Sequence, residues 1–110
     1  MLSANGEKLA QAVKSVRHAA EDLESSPSDK GARAAYLHAV ASSEDILSAP
    51  LDQPSSDADV WRRRLLDEAA ILRHVVTVEE DPSARMRTLS WQARLVHDLS
   101  NLLLRTLRKA

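Results

Sequence analysis

The chain has 110 residues, of which 44% are hydrophobic and 28% charged, and its net charge is −1. This balance excludes a disordered chain, and it argues against the broadly basic surface that general nucleic-acid binding needs. Because the chain has no cysteine, disulfides and thiolate chemistry are excluded as well. The length predicts one domain over 1–110, and the wealth of Ala, Leu, Arg and Glu predicts that it is helical.

The first two predicted helices have narrow apolar sides that are rich in alanine. Apolar residues at helical spacing predict the first helix over about 4–24. The segment SSPSDKG then interrupts the pattern, because Pro27 breaks a helix. The second helix is expected over about 29–47, with Ser28 or Asp29 as its cap.

Two longer helices are predicted in the second half of the chain. The linker SAPLDQPSS precedes the third helix, expected over about 57–79, where Ser56 and Asp59 have the spacing of a capping box. The fourth helix is expected over about 82–108, since Pro82 suits a first helical position. Short connections make neighbouring helices antiparallel. The predicted fold is therefore an all-α, antiparallel, up-down-up-down four-helix bundle.

The fourth helix carries more apolar surface than the outside of a monomeric bundle needs. One stripe, which includes Leu89, Val96 and Leu103, alternates three and four residues apart and is expected to face the core. A second stripe lies more than a quarter-turn away. It consists of Trp91, Leu95, Leu99 and Leu102. We expect this helix to be either central in the bundle or covered by something else.

The third helix, whose apolar side includes Trp61, shows the same excess, and ten of the sixteen leucines follow residue 57. Two explanations stay open. Large side chains on helices three and four fill space left by alanines on helices one and two, as mixed sizes do in a packed core. Alternatively, this helix pair binds a partner, most simply a second copy of the chain. Trp91 favours the second explanation, since aromatic residues are enriched at interface centres.

A carboxylate interrupts the apolar arc of the third helix at Glu68, with Arg64 one turn before it. A charge leaving water is costly unless it is paired. We therefore expect an Arg64–Glu68 ion pair at the edge of the arc. The alternative is that the two residues form a polar specificity contact at an interface.

The four histidines fall one to each predicted helix, which raises the question of a metal site. His18 and His38 are expected nearly opposite the apolar faces of their helices, and His74 on a polar edge. Metal ligands must converge on one ion, and these side chains do not. No metal site, cofactor or catalytic set is predicted.

His97 lies in the segment VHDLSNLL, beside Asp98 and four residues before Asn101. This segment resembles the phosphoacceptor box of sensor histidine kinases, in which an acid follows the histidine and Thr or Asn follows four residues after it. The resemblance implies that His97 would accept a phosphoryl group, with Asp98 as the assisting carboxylate and Asn101 as the polar residue one turn on. An exposed neutral imidazole is a competent nucleophile.

The resemblance covers about eight residues, and Leu102 stands where the family often has proline. Two glycines in the chain cannot supply the glycine-rich motifs of an ATP-binding domain. What the resemblance implies is thus a stand-alone acceptor or a kinase-regulating bundle. The alternative is an ordinary surface histidine beside an Arg94–Asp98 helical ion pair.

Arg62, Arg63 and Arg64 form a basic cluster near the start of the third helix. We expect three solvated arginines, offset by nearby aspartates, with an acidic protein surface or a phosphate as a candidate partner. Nucleic-acid binding through this helix is a third hypothesis that the net charge does not favour.

Together these patterns predict a non-enzymatic protein-binding module, such as an adaptor, an immunity-type protein or a regulatory subunit, that forms a homodimer through helices three and four. The predicted interface consists of Trp91, Leu95, Leu99, Leu102 and Trp61. Phosphotransfer at His97 is the alternative function. Because no apolar run reaches the length of a signal or a membrane span, a cytoplasmic location is expected.

Overall fold

The computed structural model describes the backbone of residues 4–51, 57–78 and 82–109, and the side chains of these residues except 4–5, 82–86 and 109. Its α-helices are α1 (Ala4–Ser25), α2 (Lys30–Ser48), α3 (Asp57–Thr77) and α4 (Pro82–Lys109). The predicted helix bounds are confirmed to within one or two residues.

The four helices form an elongated antiparallel bundle measuring 44 × 20 × 19 Å. α1 packs against α2 and α4, α3 packs against α2 and α4, and the two diagonal pairs make no contact in the described part of the chain. The predicted up-down-up-down bundle is thus confirmed. α4 occupies one corner, with a neighbour on each side, and it is not surrounded by the other helices.

Asp29 starts α2. Its backbone is extended, with φ −74° and ψ 120°, and its Oδ1 accepts a hydrogen bond from the Gly31 amide at 3.0 Å. The Arg33 Nε donates to the Pro27 carbonyl at 2.9 Å, which ties the preceding turn to the helix. Of the two predicted caps it is therefore Asp29, and not Ser28, that satisfies a free amide of the first turn.

The core is built from leucine, valine and alanine of all four helices. Leu89, Val96 and Leu103 are fully buried, so the predicted core stripe of α4 is confirmed at these positions. Tyr36 crosses the core from α2, and its hydroxyl donates to the Ala69 carbonyl of α3 at 2.8 Å. Burial raises the pKa of Tyr36 above its ordinary value, which keeps this hydroxyl a neutral donor.

Arg62 is buried, so the prediction of three solvated arginines is wrong at this position. Its side chain is 4% exposed, and its Nε donates to Asp59 Oδ1 at 2.9 Å. A second donor, Nη1, reaches the Leu47 carbonyl at 2.6 Å, and the Leu51 amide donates to Asp59 Oδ1 at 3.2 Å. The pair thus joins the end of α2 to the first turn of α3. Ser56, the other half of the expected capping box, lies outside the described residues.

The hydrogen bond from Arg62 holds the pKa of Asp59 below its usual range, against the opposing effect of burial. The Leu51 amide and the charge of Arg63, whose Nε lies 3.5 Å from Asp59 Oδ2, act in the same direction. Burying an ion pair costs desolvation energy, which further hydrogen bonds to its remaining donors offset. The hydrogen bond from Arg62 to the Leu47 carbonyl is one of these.

Candidate interaction surface

A polar contact between α3 and α4 fixes how these two helices lie against each other. The Gln92 Nε2 donates to Glu68 Oε2 at 2.7 Å and to the Glu68 carbonyl at 3.1 Å. The Arg64 Nε lies 3.9 Å from Glu68 Oε1, so the expected Arg64–Glu68 pair is present. Gln92 is the stronger partner, and its role was not predicted, because it comes from a helix that is remote in sequence.

All the large hydrophobic side chains that are exposed among the described residues belong to α3 and α4. Trp91 is 75% exposed, Ile71 48% and Val60 47%. Trp61, Val75, Leu95 and Leu102 are partly buried and pack against the core from the same two helices. The second stripe of α4 is therefore covered in part, by α3, and open at Trp91.

Leu99 lies in the core, with 5% of its surface exposed. The prediction that Leu99 belongs to the interface is therefore wrong, because the side chain offers almost no surface to a partner. The helical wheel places Leu99 closer to the core stripe than Trp91 by about 80° at ~100° per residue. The sequence pattern placed Leu99 and Trp91 in one stripe, although Leu99 is buried and Trp91 is exposed.

The outer apolar residues form one surface, which we name the α3–α4 face. It consists of Val60, Trp61, Ile71, Val75, Trp91, Leu95 and Leu102. On α3, Trp61 and Val75 lie seven residues before and after Glu68, so they share its side of the helix. On α4, Leu95 and Leu102 lie on the same side as Gln92. Since Glu68 contacts Gln92, the two sets lie on either side of that contact.

His97 lies in a polar seam on the other side of α4, against α1. Its side chain is 27% exposed, with Nδ1 3.4 Å from Asp98 Oδ1 and Nε2 3.8 Å from Glu21 Oε2. Asn101 accepts a hydrogen bond from Arg17 Nη1 at 3.1 Å. The three residues of the phosphoacceptor-like segment are thus close together. His97 and Asn101 each have a partner on α1, whereas Asp98 pairs within its own helix.

The chemistry of this seam favours charge pairing over nucleophilic attack. The Glu21 carboxylate faces Nε2 of His97 at 3.8 Å, and like charge opposes the approach of a phosphoryl anion at that nitrogen. Asp98 is shared with Arg94, whose Nε lies 3.9 Å from Asp98 Oδ2, so the expected Arg94–Asp98 pair is present. Arg94 also reaches Glu24 of α1 at 3.7 Å.

The other histidines lie far from any common point. His18, His38 and His74 are exposed, and His18 Nε2 lies 3.5 Å from Asp22 Oδ2 on its own helix. Across the described residues, no group of three His, Asp or Glu side chains could hold a metal ion.

None of the helices in the described part of the chain combines the length and apolarity that a membrane crossing requires. Comparison with models of protein families, with characterised proteins and with solved structures finds no match to this chain.

Proposed function

We propose that this protein is a non-enzymatic binding module that self-associates through the α3–α4 face. The observation that carries the proposal is the 75% exposure of Trp91. Water contact with an indole ring is costly, and Trp is enriched at the centres of protein interfaces. Trp91 stands beside partly buried apolar side chains of α3 and α4, and together they offer an apolar surface for a partner.

A second copy of the chain is the partner that the charges of this face fit. Arg64 is exposed on the same outer side of α3 as Asp67, three residues further on, and Glu68 lies next to them. In a two-fold dimer each surface meets itself. Arg64 of one copy can therefore meet Asp67 of the other, while Trp91 packs on the partner's apolar residues.

The size of the face predicts a weak dimer. Residues 60–75 of α3 span roughly 22 Å at about 1.5 Å per residue, and the bundle is about 20 Å wide. Two such surfaces bury on the order of 1,000 Å², which is the low end for specific interfaces. We expect association in the micromolar range, reversible on dilution.

Light scattering and sedimentation from ~10 μM to ~1 mM test the proposal, with about 12.1 kDa expected for the monomer. Trp91→Glu should give a folded monomer at every concentration. Ala35→Glu is the matched control, because Ala35 is an exposed position on α2 and gains the same charge. The dimer is refuted if the natural chain stays monomeric at the highest concentration, or if both variants behave alike.

Phosphoryl acceptance at His97 is a second candidate, favoured by the 3.4 Å contact between its Nδ1 and Asp98. The facing Glu21 carboxylate should oppose it, so Glu21→Gln should increase labelling by a small phosphodonor. His97→Gln should abolish the labelling. Absence of acid-labile phosphate in both the natural chain and Glu21→Gln would end this candidate.

A further inference from the structure

Charge is divided unevenly between α4 and the rest of the chain. Residues 82–110 contain six Lys and Arg side chains and one Asp, which gives +5, whereas residues 1–81 contain nine basic and fifteen acidic side chains, which gives −6. The net charge of −1 is therefore the sum of a strongly basic α4 and an acidic remainder of the chain. Such separation matters for association when the basic groups are free of internal partners.

The α1–α4 edge of the bundle brings basic groups of two helices together. Its polar contacts are Arg17 to Asn101, Glu21 to His97, and Glu24 to Arg94. Each step forward along α1 is matched by an equal step backward along α4, as antiparallel packing requires. One turn before Arg17, Lys14 therefore lies level with position 104 of α4, next to Arg105 and about one turn from Arg108.

We name Lys14, Arg17, Arg105 and Arg108 the basic patch. Lys14, Arg105 and Arg108 are exposed, and no ion pair joins any of the four to another described residue. Among the described residues, Arg17 bonds only to the neutral Asn101 amide oxygen, which positions its guanidinium without neutralising its charge. Neighbouring side chains on packed helices lie about 6–10 Å apart, so the four charges fall within reach of one short ligand.

The helix dipole accounts for only part of this patch. Arg105 and Arg108 lie near the C-terminus of α4, where its negative end stabilises cations. Lys14 and Arg17 lie in the middle of α1 (Ala4–Ser25), where the dipole has no such effect. Their position across from two further cations raises repulsion that no ion pair within the described residues offsets. An external anion would relieve it.

We infer that the basic patch binds a short acidic segment of a partner protein. Carboxylates bound the patch along the same edge, at Glu21, Glu24 and Asp98, so a long polyanion such as nucleic acid would run into like charge within about two helical turns. A segment of a few Asp or Glu residues fits the space, and each arginine can bind a carboxylate through two parallel hydrogen bonds. This edge differs from the α3–α4 face, so it stays open in the proposed dimer.

Fluorescence anisotropy with a dye-labelled peptide of eight glutamates, at ~50 mM salt, tests this inference. Arg105→Gln/Arg108→Gln should weaken peptide binding by about 10-fold or more, because it removes half the charge of the patch. The matched control is Arg73→Gln/Arg87→Gln, which removes the same charge at exposed positions outside the patch and should change binding by less than ~2-fold. Circular dichroism verifies that both variants fold.

Three outcomes would overturn the inference: no peptide binding below ~1 mM, equal losses in the two double variants, or tighter binding of an eight-nucleotide single-stranded DNA than of the peptide. The last result would identify a phosphate surface instead. The Trp91→Glu variant should bind the peptide as the natural chain does, so the dimer and the basic patch succeed or fail separately.

Discussion

The two opposite long edges of the bundle differ in what they present to solvent. The α1–α2 edge is a shallow groove of small and polar residues. Its lining is Glu7, Lys8, Gln11, Ala12, Ser15, Ser42, Ser43 and Ile46. The α3–α4 edge presents all the large hydrophobic side chains that are exposed in the described part of the chain, Val60, Ile71 and Trp91.

This difference follows from side-chain size. Alanine and serine are frequent on α1 and α2, and no large hydrophobic side chain of these helices is exposed among the described residues. The larger residues on α3 and α4 exceed what the core can enclose, since a helix in a corner of the bundle buries only the arc that faces its neighbours. The distribution of large side chains between the two halves, more than total hydrophobicity, therefore determines which edge of the bundle exposes apolar surface.

The largest expected effect concerns the buried pair that joins the two halves. Arg62→Ala leaves the Asp59 carboxylate buried without its main partner, which should lower the free energy of unfolding by about 3–5 kcal/mol. Arg63→Ala, one residue further on and exposed (62% of the side chain), should cost under about 1 kcal/mol. Urea denaturation of both variants measures the difference. Equal losses would mean that the α2–α3 junction does not depend on this pair.

A slightly smaller effect separates the inside of α4 from its outside. Leu99→Ala should lower the free energy of unfolding by about 2–5 kcal/mol, because it opens a cavity in the core. Trp91→Ala should change the free energy of unfolding of the monomer by no more than about 0.5 kcal/mol, because most of the ring is exposed to water. Measurements at low protein concentration ensure that the proposed self-association does not contribute to either value. If Trp91→Ala were the more damaging change, the α3–α4 face would be part of the core.

Acid should weaken the junction between the halves. The pKa of Asp59 is lowered in the folded chain, so its contribution to stability is fully present above its unfolded pKa, near 3.9, and is lost as the pH falls through the folded value. Chemical denaturation should therefore show a fall in stability below about pH 4. Asp59→Asn should be less stable at pH 7 and lose less on acidification. An unchanged acid response in this variant would assign the effect to other carboxylates.

The smallest expected effect concerns the hydrogen bond from α2 to α3. Tyr36→Phe should lower the free energy of unfolding by about 1 kcal/mol, because it removes one buried hydrogen bond and keeps the ring packed. Thermal unfolding at pH 7 measures it. A loss as large as that of Leu99→Ala would show that the hydroxyl, and not the ring, holds the two halves together.

Periodicity determined much of this protein by itself. The Leu89–Val96–Leu103 core stripe follows from the spacing of apolar residues, because residues three and four apart lie on one side of a helix whatever its neighbours are. The helix bounds follow from the same spacing together with the prolines and caps. The Arg64–Glu68 and Arg94–Asp98 pairs follow from the same local geometry.

Only the tertiary structure decided which polar groups are buried and which apolar residues remain outside. Arg62 is enclosed because the end of α2 offers its carbonyl there, and Leu99 is covered because α3 lies beside it. The partners of His97, Asn101 and Gln92 come from other helices. A sequence pattern sees one helix at a time, whereas the burial of a side chain depends on which helix stands next to it.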